Sequence, residues 1–333
     1  MNQSYVLSLL AVLVLALLGY IGGSVHALQY VFGIIIPYLA VVIFISGFCL
    51  RIIGWAKSPV PFTIPSTCGQ QKSLPWIKAN CIDNPTTTSG VVLRLALEVL
   101  TFRSLFRNTK CTIHDNQKIA YSWEIFLWVA AIAFHYSFFV VIVRHMRFFT
   151  EPVPYLIQVL EKLDGFLQVG LPGILLSGFV LFAAVFYLFA RRLYLAQVRY
   201  ISLAQDFFPL FLIMGIALTG LLMRYFTKTD IVSVKAFTMS LINFAPVIQE
   251  GAGSIFYIHI FLVSVLLAYF PYSKLMHAGG IFMSPTRNQK TNTRAVRHVN
   301  PWNYPVHVHT YDEYEDEFRE KMIEAGLPVE KEA

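Results

Sequence analysis

Long apolar runs alternate with polar interruptions along this chain. The apolar runs extend from Val6 to Ile21, Leu28 to Trp55, Ser122 to Arg144, Gly165 to Ala190, Phe207 to Phe226 and Gly251 to Leu275. Each approaches or exceeds the roughly 20 residues that a helix needs to cross a bilayer. Strand-like alternation is absent. The pattern predicts an all-α integral membrane protein, a bundle of six transmembrane helices. Pro37 falls inside the second run and predicts a kink there.

The first run could be read as a signal peptide. Its leading Met-Asn-Gln-Ser-Tyr carries no positive charge, and no small-x-small cleavage site follows. A retained helix over residues 1–23 is the expectation. The polar interruption at residues 56–120 opens with Pro59, Pro61, Pro65, Pro75 and Pro85, which predicts irregular, extended chain. Within it, Val91 to Phe106 is apolar, with Arg94, Glu98 and Arg103 interspersed and Arg107 following. An interfacial helix without a clean amphipathic face fits that stretch. A loop this long is expected to be functional or a docking surface. The tail, residues 278–333, turns polar and ends acidic from Asp312 to Glu320. The chain thus divides into an N-terminal helix, a membrane domain over 28–277 that contains the loop 56–120, and a tail.

Composition agrees with the pattern. Hydrophobic residues make up 56% and charged residues only 14%, against about a quarter charged in soluble domains. The net charge of +7 fits basic loops beside anionic lipid, and no nucleic-acid partner is expected. Cys49, Cys68, Cys81 and Cys111 have no short metal-binding spacing. Cys68, Cys81 and Cys111 could approach a partner's cluster, but are better read as plain thiols. His298, His307 and His309 could hold a metal, though a solvated tail is the simpler reading. His26 and His114 read as loop residues.

Four of the nine histidines lie in or at the ends of two spans: His135 and His145 on the third, His259 and His277 on the sixth. An ionisable residue in a membrane span is costly and marks a functional site by default. The separation of eighteen residues between His259 and His277 amounts to five turns of one helix, about 27 Å. His135 and His145 are ten residues apart, about 15 Å. Three loops separate the third span from the sixth, so the two run antiparallel. Depth then pairs His135 with His277 and His145 with His259. Facing neutral imidazoles suit a six-coordinate haem iron held between helices of a bundle. The mismatch of about 12 Å must be absorbed by tilt, by a broken helix end near His145 or by tilted porphyrin planes. Zinc fits less well, because each pair offers two ligands and no nearby cysteine or carboxylate completes a tetrahedral set. Ordinary core histidines bonded to carbonyls would explain one such residue more readily than four in matched pairs. The missing CxxCH string excludes ordinary c-type attachment.

With these spacings, the chain resembles the gamma subunit family of respiratory nitrate reductase. That family has five helices and two b haems, with axial histidines spaced as His135/His145 and His259/His277 are here. The likeness covers residues 28–277 without the long loop. The strings from Ile64 to Lys78, Phe134-His-Tyr-Ser137, Arg144 to Pro152, Ser284 to Asn288 and Asn300 to Pro305 resemble more closely the DsrM-like branch, the membrane cytochrome b of the sulfite-reduction-associated Dsr complex. The extra first helix and the loop 56–120 depart from the nitrate reductase pattern.

The resemblance implies two haem b groups, an inner one on the cytoplasmic side at His135/His277 and an outer one at His145/His259. It implies electron transfer between a membrane quinone, such as menaquinone, and a cytoplasmic iron–sulfur subunit. Further membrane and periplasmic redox subunits would complete the complex. The loop 56–120, residues 191–206 and the tail would be cytoplasmic, an orientation that the distribution of Lys and Arg supports only weakly. Arg144, Arg147 and Lys274 are candidates to pair haem propionates. Glu161, Lys162 and Asp164, with Glu250 nearby, are candidates for a quinone site beside the outer haem. They could equally be interfacial charges at a helix end. Two other functional readings remain: a haem-free membrane anchor, or a transporter whose histidines relay protons. The latter should show inverted repeats or matching interrupted helices, and neither is evident.

Overall fold

The computed structural model describes residues 4–60, 64, 69–113, 118–166, 173–294, 296 and 305–330. Six helical segments are long and apolar enough to cross a membrane, so this is a multi-pass membrane protein of the all-α class. Helix α1 spans Ser4–Ser24. Helix α2 is the His26–Ala56 span, interrupted by a π-helical turn at Val31–Ile35. The turn sits just before Pro37. Proline has no N–H for the Gly33 carbonyl, and the widened turn absorbs that loss.

The loop that follows contains α3 (Thr88–Thr101), capped by the Thr87 hydroxyl, which accepts from Gly90 N at 3.2 Å. A two-stranded antiparallel hairpin comes next, β1 (Thr109–Ile113) and β2 (Ile119–Trp123), with Cys111 opposite Tyr121. The sequence pattern gave no sign of strands. Thr, Ile, Tyr and Trp favour a pleated surface, but each strand is too short for alternation to register. The third span is α4 (Ile125–His145). Helix α5 (Tyr155–Asp164) leads to the fourth span, α6 (Leu176–Tyr194). The fourth span therefore opens at Leu176 and not at Gly165. The fifth span is α7 (Ala204–Leu221), which ends in a π-helical turn at Leu222–Phe226. A short apolar helix, α8 (Ile231–Ile242), precedes the last span, α9 (Gly253–Tyr269).

The last apolar run is not one helix. After Tyr269 come a 3-10 turn at Phe270–Tyr272, an extended Ser273 (φ −116°, ψ 176°) and a second 3-10 turn at Lys274–Met276. His277 opens a separate helix, α10 (His277–Met283). Pro271 lacks the N–H that would continue the helix. The Ser273 hydroxyl then accepts from Leu275 N at 3.2 Å and starts the chain afresh. The tail ends in α11 (Tyr311–Glu324), with Thr310 and Glu313 forming a capping box.

In the bundle, α4 packs on α6, α6 on α7, α7 on α9, and α9 on α2. Helix α1 lies against both α7 and α9. Val12, Phe207, Phe211, Leu212 and Leu262 form the core where those three meet. The approach of α1 to α9 depends on small residues. A Cβ on Gly19 would stand 2.9 Å from Ile258 Cα, and one on Gly23 would stand 2.7 Å from Tyr257 Cβ. Small residues four apart are what let membrane helices come this close.

Beyond the N-terminal end of α4, the loop and the tail form one cap. Thr291 N donates to Pro85 O at 2.7 Å, and Gln71 Nε2 to Thr293 Oγ1 at 2.9 Å. Inside the cap, Asp83 is 6% exposed and pairs with Arg103 and Arg107. Burial pushes the Asp83 carboxyl up, but the hydrogen bonds and charges of the two guanidiniums outweigh it and hold it below the usual carboxylate range.

Candidate functional site

Both histidines of α4 are tied to a carbonyl one turn back. His135 Nδ1 lies 2.7 Å from Ala131 O, and His145 Nδ1 lies 2.7 Å from Val141 O. His277 Nδ1 meets Lys274 O at 2.9 Å. A carbonyl only accepts, so Nδ1 carries a proton in each of these rings, which in the neutral form leaves the lone pair on Nε2. His259 reaches the same state differently. Its Nδ1 lies 2.9 Å from Thr219 Oγ1 on α7. That hydroxyl donates its single proton to the carbonyls of Gly215 (2.8 Å) and Ile216 (3.0 Å), so its oxygen accepts from Nδ1–H. All four rings thus share one tautomer, with Nε2 available as a ligand.

The rings face each other in two pairs. The His135 and His277 centroids are 5.9 Å apart with planes at 86°. Those of His145 and His259 are 6.3 Å apart with planes at 14°. Helices α4 and α9 each pack mainly on other neighbours. The imidazoles reach into the space between them. Metal–imidazole bonds of about 2.0 Å, plus about 1 Å from each nitrogen to its ring centre, require trans rings about 6 Å apart. Both pairs match that spacing. The break between Tyr269 and His277 interrupts the eighteen-residue spacing, so His259 and His277 do not lie on one continuous helix. Helix α4 itself stays regular through His145.

At the His145/His259 end, the polar candidates are held in pairs. Arg144 Nε lies 2.9 Å from Asp164 Oδ2, and Arg147 pairs with Glu161. Asp164 also accepts from the backbone N and the Oγ of Ser177, both at 2.7 Å. It therefore anchors the start of α6 although it is the last residue of α5. Lys162 is exposed. The sequence reading missed Arg224, which lies in the electrostatic neighbourhood of Arg144 and donates from Nη2 to Gly173 O at 3.1 Å. It was an ionisable residue in an apolar run, which is itself a signal. The Nε atoms of Arg144 and Arg224 are buried without a hydrogen-bond acceptor. For Arg144 this holds despite the close carboxylate, which lies off the N–H direction. Two orphaned guanidinium donors beside a histidine pair are what a propionate carboxylate would satisfy.

At the His135/His277 end, Lys274 Nζ binds Asp206 Oδ1 at 2.6 Å. Phe102, at the end of α3, packs on His135. Arg94 is buried in the cap with Nη1 lacking an acceptor, and burial pushes its guanidinium below the usual arginine range. Thr219 and Phe102 left no trace in the sequence, because nothing in spacing links either to a histidine so far along the chain.

The remaining candidates lie apart. Cys49, Cys81 and Cys111 are exposed free thiols, His26 is exposed, and Cys68, His114 and His298 fall outside the described residues. The exposed rings of His307 and His309 are 5.0 Å apart, with Glu313 beside them. That is the one group of three metal-ligating side chains among the described residues, so neither facing pair has a third ligand for tetrahedral zinc.

Comparison with known proteins agrees with this architecture. The family model described as nitrate reductase gamma subunit matches residues 95–297. Two curated relatives carry the name Hdr-like menaquinol oxidoreductase cytochrome b-like subunit. The one from Archaeoglobus fulgidus is 45% identical over 279 residues, 82% of this chain and 83% of its own. The one from Archaeoglobus profundus is 41% identical over 275 residues, 80% of this chain and 81% of its own. A six-span bundle with two facing histidine pairs, matched over this length, belongs to the nitrate reductase gamma subunit family.

Proposed function

We propose that this chain is the membrane cytochrome b subunit of a quinone-linked respiratory complex, with one b haem between His135 and His277 and a second between His145 and His259. The observation that carries this reading is the spacing of the two pairs, with every ring in the Nε2-ligating tautomer. The relatives' names supply the electron donor class, menaquinol, and membership of a larger oxidoreductase. Bound haem would supply one-electron redox chemistry, which divides the two-electron oxidation of a quinol into single steps.

The chain's own residues do the rest. The backbone carbonyls and Thr219 fix the ligating tautomer. Arg144 and Arg224 offer N–H groups to propionates at the outer site, with Arg147 beside them and Lys274 as the candidate at the inner site. Lys162 presents a cation to a quinone ring oxygen, with Glu161 and Asp164 behind it. The apolar walls of α4 and α9 enclose the His145/His259 site more than the His135/His277 site, where His277 is exposed.

In this reading the cap end is cytoplasmic. The loop 56–120 and the tail 278–333 dock an iron–sulfur subunit, the membrane domain 28–277 holds the cofactors, and the first helix is an added anchor. Further membrane and periplasmic subunits complete the complex. The resemblance of the motif strings to the DsrM-like branch supports a link to sulfite or sulfur reduction. The test is gentle purification with its partners, haem quantitation and a dithionite-reduced spectrum. Two low-spin b haems per chain are expected. A chain without b-type absorbance would restore the haem-free anchor.

A further inference from the structure

His259 is the one member of the four with a side-chain hydroxyl at Nδ1, beside the Ile216 carbonyl. His135, His145 and His277 lean on main-chain carbonyls, which substitution cannot remove. The Thr219 hydroxyl is 2.9 Å from His259 Nδ1 and its residue is only 9% exposed. The next residue is Gly220, where a Cβ would come within 3.5 Å of His259 Cε1. The imidazole therefore lies against this turn of α7.

We propose that Thr219 is a positioning residue that sets the orientation of His259 and the reduction potential of the outer site. The inference rests on the haem reading given above. The hydroxyl is polarised by the carbonyls it donates to, and it accepts from Nδ1–H. An acceptor at Nδ1 raises the basicity of Nε2. A more basic axial ligand stabilises ferric over ferrous iron and lowers the potential. Without the hydroxyl, Nδ1 keeps only the Ile216 carbonyl as an acceptor, and the polarised oxygen that holds the ring in place is lost. The inner site has no side chain in this position, so the two potentials become separately adjustable.

The experiment compares Thr219→Val and Thr219→Ser in the full chain, purified with its complex. Haem per chain, potentiometric titration of the b bands and low-temperature paramagnetic resonance are recorded. Thr219→Val is expected to raise the outer midpoint potential, or to lose the outer haem, with the inner signals unmoved. Thr219→Ser is expected to restore the parent values. Two haems at parent potentials in Thr219→Val would overturn the proposal and leave the haem reading standing. The same defect in both variants would also overturn it, because it would assign Thr219 to packing alone. Absence of haem from the parent chain would instead overturn the reading on which the proposal rests.

Discussion

The ring of Phe102 stands edge-on to the imidazole of His135, with centroids 4.9 Å apart and planes at 78°. The end of α3 makes this possible by turning left-handed at Phe102 (φ 48°, ψ 46°). Two donors from α4 hold it there: Trp128 Nε1 to Thr101 O and Tyr136 Oη to Leu100 O, both at 2.8 Å. A polar loop thus supplies part of the wall of the inner site. Phe102→Ala is expected to admit water beside His135 and to shift the inner b band and its potential, while the outer band stays in place. Redox-resolved visible spectra check this.

Each histidine pair should behave as a unit. His135→Ala or His277→Ala is expected to halve the haem content and remove the inner signals. His145→Ala or His259→Ala should remove the outer ones. A double variant of His135 and His145 should bind no haem. Haem assays per chain decide the matter, and a double variant that retained two haems would break the assignment.

The two pairs differ in ring orientation, 86° against 14° between planes. Perpendicular axial imidazoles leave the two ferric π-type d orbitals nearly degenerate, whereas parallel ones split them. The inner site is therefore expected to give the more anisotropic low-spin resonance. His277→Ala should abolish that signal first, and His259→Ala the more rhombic one.

Lys162 is the exposed cation of the outer cluster, where its neighbours Glu161 and Asp164 already have arginine partners. Lys162→Ala is expected to lower quinol oxidation about tenfold in kcat/KM, the loss of one charge-assisted hydrogen bond of about 1.5 kcal/mol. Both haems should remain. Asp164→Asn will report structure as well, because Ser177 and Arg144 depend on that carboxylate. Steady-state assays that leave Lys162→Ala at the parent rate would move the quinone site elsewhere.

Asp83 makes the cap pH-dependent. Its folded pKa is depressed by Arg103 and Arg107 against the effect of burial. The stabilisation is therefore complete above the unfolded carboxylate value of about 3.9 and is lost as pH falls through the lower folded value. Protection factors for hydrogen exchange over residues 69–107, corrected for the intrinsic pH dependence of exchange, should hold steady from about pH 5 upward and fall below about pH 4. Asp83→Asn should loosen the cap already at neutral pH. The expected cost is on the order of 2 kcal/mol, less than the about 3–5 kcal/mol of a fully buried pair, because Arg107 is 45% exposed.

Much of this was legible from residue spacing. Length and apolarity revealed the six spans, and parity paired His135 with His277 and His145 with His259, as the rings are found. What spacing could not reveal is where a helix stops. The eighteen residues from His259 to His277 read as five helical turns, yet Pro271 and Ser273 divide them. The run beginning at Gly165 read as the opening of a span, yet that span starts at Leu176. Contacts remote in sequence were equally hidden, because the partnership of Thr219 with His259 or Phe102 with His135 arises only from tertiary packing. Local charge patterns fared better. Arg144, Arg147, Glu161 and Asp164 do gather, although as ion pairs and not as free groups.

The contact of Gly19 with Ile258, and of Gly23 with Tyr257, also has a meaning in time. Helix α1 packs on α9, and Gly19 is synthesised 239 residues before Ile258. At about 5–20 residues per second, that interval is roughly 12 to 50 seconds of synthesis. During it, the glycine face of α1 waits in the bilayer without its partner. The space between α4 and α9 likewise has only one wall until α9 arrives. On the haem reading proposed above, cofactor insertion would be a late event in biogenesis, and a chain truncated before residue 253 would leave both α1 and α4 without α9.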